Sequence, residues 1–257
     1  MRPLFDFAYF PNWPQTLDEL DDLAQEETWE YKHTPTRKPK PILASYFNYT
    51  FKRLLEENKV VEQEDKACFN TGLVTDNQED IFAFFEQNRN NPSQWKFKQF
   101  LKESDYLLRS FNPLPDRASY FDDPTNLIYD IRLGHPRIDY DHIKNRTENR
   151  NRFPQKYQSM NDHELQVLLE GAVKLAIKRV MRNYKAAVPQ FFWDRNAKVG
   201  ELQLLLPLCL SSPLKADVAL VINRTEYVYS GETILTLDMA YNNARLLAKP
   251  DTEWLQP

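Results

Sequence analysis

The chain has 257 residues, a formal net charge of −4, 42% apolar and 27% charged residues, and only five glycines. The closest pair of glycines, Gly171 and Gly200, stand 29 residues apart. This excludes the phosphate loop GxxxxGK[ST], the dinucleotide fingerprint GxGxxG and the GxSxG nucleophile elbow, whose glycines lie within a few residues of one another.

Residues 1–30 hold eight acids against Arg2, a net charge of −7. The opening MRPLFDFAYFP is broken by Asp6 and two prolines and lacks the apolar core of a secretory signal, so a cytoplasmic location is expected. Trp13, Trp29 and the other aromatics of residues 1–32 predict an arm that docks on the body. The stretch His33 to Pro41, HTPTRKPKP, reads as an extended linker. The expected division is therefore an acidic aromatic arm with its linker over residues 1–41 and a single domain over 42–257.

Ala44 to Asn58 places Phe47, Phe51, Leu54 and Leu55 at helical spacing. Lys66 to Thr75 and Asp80 to Glu86 predict a hairpin, with Gly72 marking a bulge or a close approach. Trp95 to Phe111 reads as a second helix, and Asn112 to Gln158 shows no periodicity. The clearest helix runs from an Asn161 cap, in the series N-D-H-E, to about Ala187. Leu165, Leu168, Leu169, Ala172, Ala176 and Val180 mark its buried face, and Lys174, Lys178, Arg182 and Lys185 line the opposite one. Gly171 inside that helix costs about 1 kcal/mol relative to Ala, so close packing is expected there. Strands follow at Glu201 to Leu210, Ala216 to Asn223, Glu226 to Ser230 and Glu232 to Leu237, with Gly231 turning the last hairpin. Asp238 then caps a helix from Met239 to Ala248. Consecutive strands without intervening helices predict an α+β fold, a largely antiparallel sheet with flanking helices and a long irregular Arg-rich central section. The longest apolar run, Leu204 to Leu210, falls far short of the ~20 residues a membrane helix needs, so no membrane partner is expected.

Cys68 and Cys209 form no CxxC pair, and the four histidines form no HExxH. Two buried reduced thiols and no metal site are expected, and the cofactor is left open. Residues 132–198 carry a net charge of +7, a positive region on an acidic protein. Within it Arg132, Arg137, Lys144, Arg146, Arg150, Arg152 and Lys156 are interleaved with Tyr140, Phe153 and Tyr157. The basic helix face then leads into Phe191, Phe192 and Trp193. Cations that track a backbone beside rings on which bases stack are the ingredients of single-stranded nucleic-acid binding. Arg137, Arg146, Arg150, Arg152, Lys174, Lys178, Arg182 and Trp193 are thus the expected contacts. The bland alternative is an ordinary solvated helix face whose three aromatics enter the core, with the acidic arm neutralising the basic middle.

Asp238, Asn242 and Arg245 recur at i, i+4 and i+7, an arrangement able to orient a ribose, a base edge or a metal-bound water if Asp238 does more than cap. His142 beside Asp139 or Asp141 is a candidate for general acid-base work on a phosphodiester. Asp122, Asp123 and Asp130 are either ligands for a hard cation or a solvated acidic loop.

Four segments, FNTGL at Phe69 to Leu73, QLLLPLCL at Gln203 to Leu210, KADVALVI at Lys215 to Ile222 and ILTLDMAYNNARLLAKPD at Ile234 to Asp251, resemble the bacterial domain-of-unknown-function family 3825. The resemblance runs from about residue 40 to the C-terminus and supplies no mechanism and no catalytic residue. It implies neighbours among cold-shock-type or other RNA-associated modules. The first reading is an RNA or nucleotide-binding domain whose partner is single-stranded RNA or a nucleotide. The alternatives are a nucleotide- or phosphodiester-processing enzyme using Asp238 and His142, and a protein-interaction module masked by its own acidic arm.

Overall fold

A computed structural model describes residues 3–92, 94–194 and 199–256. Cα packing divides the chain into two compact units, Met1–Tyr31 with Thr36–Ser119, and Lys32–Pro35 with Tyr120–Pro257.

The first unit contains α1 (Leu4–Phe7), β1 (Ala8–Tyr9), α2 (Trp13–Leu23), α3 (Pro41–Glu56), β2 (Val61–Glu62), β3 (Lys66–Val74), β4 (Asp80–Gln87) and β5 (Trp95–Lys102). Its sheet has the order β1-β5-β4-β3-β2. The central strand β4 is buried on both faces, which explains its almost unbroken apolar run IFAFF. Phe82 and Phe84 join Cys68, Leu101, Leu108 and Phe111 on one side. On the other, Phe85 and Phe69 meet the α3 residue Phe51, which lies 5.3 Å from Phe69. The predicted arm enters this core. Phe7 sits 4.9 Å from Phe51 and 5.3 Å from Phe85, and β1 pairs in parallel with β5. Lys40, immediately before α3, bridges Asp18 at 2.7 Å and Asp21 at 2.8 Å. Burial pulls its pKa down, but the two carboxylates outweigh that and raise it.

The predicted hairpin is present, with Val74 opposite Asp80. Gly72 has φ +75°, lies within a register shift between Asn70 and Val74, and would place a Cβ 2.5 Å from Tyr46 Oη. Asn70 and Thr71 pin this bulge: Asn70 Nδ2 donates to Asp80 Oδ2 at 2.8 Å, and Thr71 Oγ1 donates to the Ile81 carbonyl at 2.8 Å. The helix expected over Trp95 to Phe111 is instead strand β5 followed by a 3-10 turn, Tyr106–Ser110. Its antiparallel pairing with β4 overrides the helical spacing of Phe97, Phe100 and Leu101.

The second unit contains β6 (Arg137–Ile138), α4 (Tyr140–Asn145), α5 (Thr147–Arg150), α6 (Gln155–Gln158), α7 (Asp162–Arg182), β7 (Val188–Asp194), β8 (Val199–Leu208), β9 (Val218–Arg224), β10 (Tyr229–Leu235) and α8 (Leu237–Arg245). The sheet order is β6-β10-β9-β8-β7, antiparallel except for the β6–β10 pair. Leu204, Leu206 and Leu208 stand opposite Ile222, Leu220 and Val218, and these six bury the apolar face of α7. The residues between them, such as Leu205 and Val221, point to the other face, where Asn243 of α8 donates to Gln190 Oε1 of β7 at 3.0 Å. Both units confirm an α+β fold built on mostly antiparallel sheets. Among the described residues no helix is long and apolar enough to cross a membrane.

Five local expectations are corrected in this unit. Phe191, Phe192 and Trp193 belong to strand β7, and Phe191 is buried against Tyr120 at 4.8 Å. The two strands expected around Gly231 are one strand, β10, with a register shift between Ser230 and Thr233. Gly231 lies inside this strand beside β6, where a Cβ would come 2.7 Å from Ile138 Cδ1 and 3.2 Å from the Val221 carbonyl oxygen. Helix α8 is capped by Thr236, whose Oγ1 accepts the Met239 N–H at 3.3 Å, so Asp238 lies inside the first turn. Gly171 is not closely packed, since a Cβ built there meets nothing within 4 Å. Gly171→Ala is therefore expected to stabilise the protein by about 1 kcal/mol through helix propensity alone, measured as a shift in urea midpoint at unchanged slope.

Candidate nucleic-acid interface

Helix α7 is positioned by its buried stripe and by Asn161, whose Oδ1 accepts the Glu164 N–H at 2.9 Å. At 100° per residue, Met181, Lys174, Val167, Lys178, Gly171, Arg182 and Leu175 share an arc of roughly 120° on the opposite face. Lys174, Lys178 and Arg182 are exposed, and among the described residues none of them makes an ion pair. Interleaved with them, Val167 is 57%, Leu175 60% and Met181 55% exposed. These three side chains offer apolar contact area between the cations of the face.

The C-terminal end of α7 opens into three adjoining clefts. One of 350 Å³ is bounded by Leu175, Lys178, Arg179, Arg182, Cys209 and Pro213. A second, of 400 Å³, shares Arg179 and Asn183 with it and continues to Lys185, Leu214 and Trp254. A third, of 240 Å³, shares Lys185, Asp251 and Thr252 with the second. Arg179 holds the β8–β9 connection against the helix by donating to Cys209 Sγ at 3.1 Å and to the Pro213 carbonyl. Trp254 Nε1 donates to the Ala186 carbonyl at 3.0 Å and so fixes the wall shared with the Tyr184–Ala186 turn. Lys185 reaches Asp251 only at 4.0 Å, with both side chains in solvent, so this pair leaves the lysine available. Cations in the last turn also complement the helix dipole, but Lys174 and Lys178 lie beyond its reach.

The Arg-rich section divides into two kinds of side chain. Arg150 donates to the carbonyls of Gln158 and Met160 and pairs with Asp162 at 3.3 Å. Arg152 donates to the Ile234 carbonyl at 2.7 Å and to Asn149 Oδ1 at 3.0 Å, and burial lowers its pKa. Both act as pins that tie the irregular section to its surroundings. Lys144 is similarly occupied by Gln166 at 2.6 Å and Asp141 at 2.9 Å. Arg137 and Arg146 remain exposed. Tyr129 and Tyr229 stack at 4.6 Å and 14°, and burial pushes the Tyr129 phenol up to about 12.

Trp193 is half-buried opposite Gly200 and lies about 16 Å along β7 from Val188, at roughly 3.3 Å per residue. The α7 clefts begin at Val188's end of the strand, where Tyr184 and Trp254 supply the rings instead. Tyr184 is 62% exposed. Its signal in the sequence was faint: an aromatic in the polar run RNYK directly after the helix.

Asp238 is only 3% exposed. One of its oxygens accepts the His33 N–H at 3.3 Å, and the other is buried without a hydrogen bond among the described residues. Arg245 is buried and Asn242 half-buried on the same helix, whereas the neighbouring Asn243 makes the bond to Gln190. The Asp139 carboxylate accepts the N–H of His142 itself at 2.8 Å and so caps α4. Among the described residues no hydrogen bond joins His142 to Asp238. Asp123 caps the Pro124–Leu127 turn, and Asp130 pairs with Arg132 at 2.7 Å and Arg224 at 3.2 Å, the hydrogen bonds from Arg132 holding it down at about 2. Among the described residues no three His, Cys, Asp or Glu side chains gather in a way that could hold a metal ion. Cys68 and Cys209 are both free thiols, but only Cys68 is buried as expected, which pushes it up to about 12, whereas Cys209 is partly exposed.

The family model for a domain of unknown function (DUF3825) matches residues 20–254. No curated protein and no solved structure matches the chain.

Proposed function

The chain belongs to the DUF3825 family, and from the surface of its second unit we propose that it binds single-stranded RNA. The observation that carries this reading is the exposed arc of α7, where three cations that make no ion pair among the described residues alternate with Val167, Leu175 and Met181 and lead into clefts walled by Arg179, Lys185, Tyr184 and Trp254. Phosphates require fixed positive charge, and with no glycine-rich loop in the chain that charge comes from side chains. Bases require apolar or aromatic surface beside it, which a splayed single strand presents and a duplex does not. Lys174, Lys178 and Arg182 follow one another at about 6 Å along the helix axis, a spacing set by four residues of 1.5 Å rise.

The test is fluorescence anisotropy of a labelled single-stranded RNA against the purified chain at increasing salt. The logarithm of affinity should fall linearly with the logarithm of salt concentration, with a slope of about −0.7 for each phosphate neutralised, and a duplex of equal length should bind more weakly. Absence of binding at low salt, or affinity independent of salt, rejects the reading.

A further inference from the structure

The 240 Å³ cleft differs in character from the two beside it. Its walls are mostly apolar, with Ile128, Val188, Pro189, Ala244 and Leu247 beside the exposed Tyr184, and its polar lining is Lys185, Lys249, Asp251 and Thr252. Ile128 and Tyr184 are both exposed there, an arrangement that leaves apolar surface in water unless something covers it. The volume is below the roughly 300–1,000 Å³ that houses drug-sized ligands, so its occupant is a single ring system. Lys185 and Asp251 lie on both this cleft and the 400 Å³ one; with Lys249 on the first and Arg179 and Glu253 on the second, three cations face two acids, so the space remains net positive. A flat ring with an anion attached matches this layout, its ring in the apolar slot and its charge at Lys185.

We propose that this cleft receives one base of the bound strand, with Tyr184 stacking on it and Lys185 holding its phosphate. The inference rests on the RNA-binding reading and names the part of the strand that enters the fold. Apart from Lys185, Lys249, Asp251 and Thr252 the lining is apolar or aromatic, so selection comes from stacking area and shape, and a purine is preferred to a pyrimidine. The remaining nucleotides follow the clefts toward Lys178 and Arg182, where the contacts are to phosphate and carry no base preference.

Two variants test the slot without disturbing the cation track. Ala248 lines the cleft and is exposed, so Ala248→Trp fills the slot from its rim, while Tyr184→Ala removes the stacking ring. An adenine decamer carrying one 2-aminopurine should lose fluorescence on binding the wild type as that base stacks. Each variant should bind it about tenfold more weakly, lose the quenching and retain the wild-type salt slope. Variants that bind and quench like the wild type, while salt-dependent binding persists, overturn the base slot and leave the RNA reading standing. Should the wild type bind no RNA, the RNA reading falls, and calorimetry with adenosine monophosphate decides separately whether the slot takes a base with its phosphate: binding abolished by Ala248→Trp supports the slot, and no binding, or binding that Ala248→Trp leaves intact, overturns it.

Discussion

Replacing Phe85 by alanine is expected to cost the first unit about 3–5 kcal/mol, the range for emptying a phenylalanine site in a core. The ring is fully buried, with Phe7 at 5.3 Å, Phe69 at 5.5 Å, Phe97 at 5.7 Å and Phe10 at 6.1 Å. Those neighbours come from α1, β3, β5 and the segment after β1, so Phe85 joins the N-terminal arm to the sheet. Edge-to-face pairs add about 0.5–1.5 kcal/mol each beyond area burial, which places this site at the upper part of the range. Domains are stable by only about 5–15 kcal/mol, so the loss is a large part of the whole. Urea unfolding followed by tryptophan fluorescence measures it, and Phe85→Leu should cost less because it refills most of the cavity. A loss under about 1 kcal/mol for the alanine variant contradicts a core organised around this ring. The same geometry changes how arm masking is tested. Deleting residues 1–32 removes Phe7, Phe10 and β1 from this core, so neutralising Asp22, Glu26 and Glu27 one at a time is the better probe of any effect of the arm on polyanion binding.

What was legible in the sequence follows from how local each signal is. Helices α3 and α7 repeat their apolar residues over several turns, and Asn161 marks the start of α7 by a bond only three residues long. Strand β5 was not legible because WKFKQFLK places apolar residues at 95, 97, 100 and 101, which satisfies a helical period as well as a strand. Only its pairing with β4 decides between them. Gly231 reads as a turn in the sequence because its close neighbours, Ile138 and the Val221 carbonyl, come from other strands. The candidate site divides in the same way. The exposed cations of α7 were legible as a face, since a helix fixes which residues share it. The occupation of Arg152 was not, because the carbonyl it serves belongs to Ile234, 82 positions away. Tyr184 and Trp254 were missed for the same reason: neither carries meaning until the C-terminal segment folds back on the Tyr184–Ala186 turn.

The double variant Lys178→Glu, Arg182→Glu is expected to weaken binding to single-stranded RNA by about 10–100-fold at low salt. Losing two phosphate contacts should reduce the magnitude of the salt slope by about 1.4, at about 0.7 per phosphate for a single strand. Reversal also adds repulsion, so Lys178→Gln, Arg182→Gln should show the same change in slope with a smaller loss of affinity. Neither side chain makes an ion pair among the described residues, and both are exposed, so the glutamine pair should leave stability within about 0.5 kcal/mol. Glutamate at position 182 faces the negative end of the α7 dipole and costs a further 0.3–1 kcal/mol or so, too little to unfold a domain. A folded double variant with wild-type affinity and slope would show that the exposed cations of α7 do not carry the interaction. The equivalent change at Arg152 is no substitute test, because removing its bond to the Ile234 carbonyl disturbs β10 and confuses lost binding with lost structure.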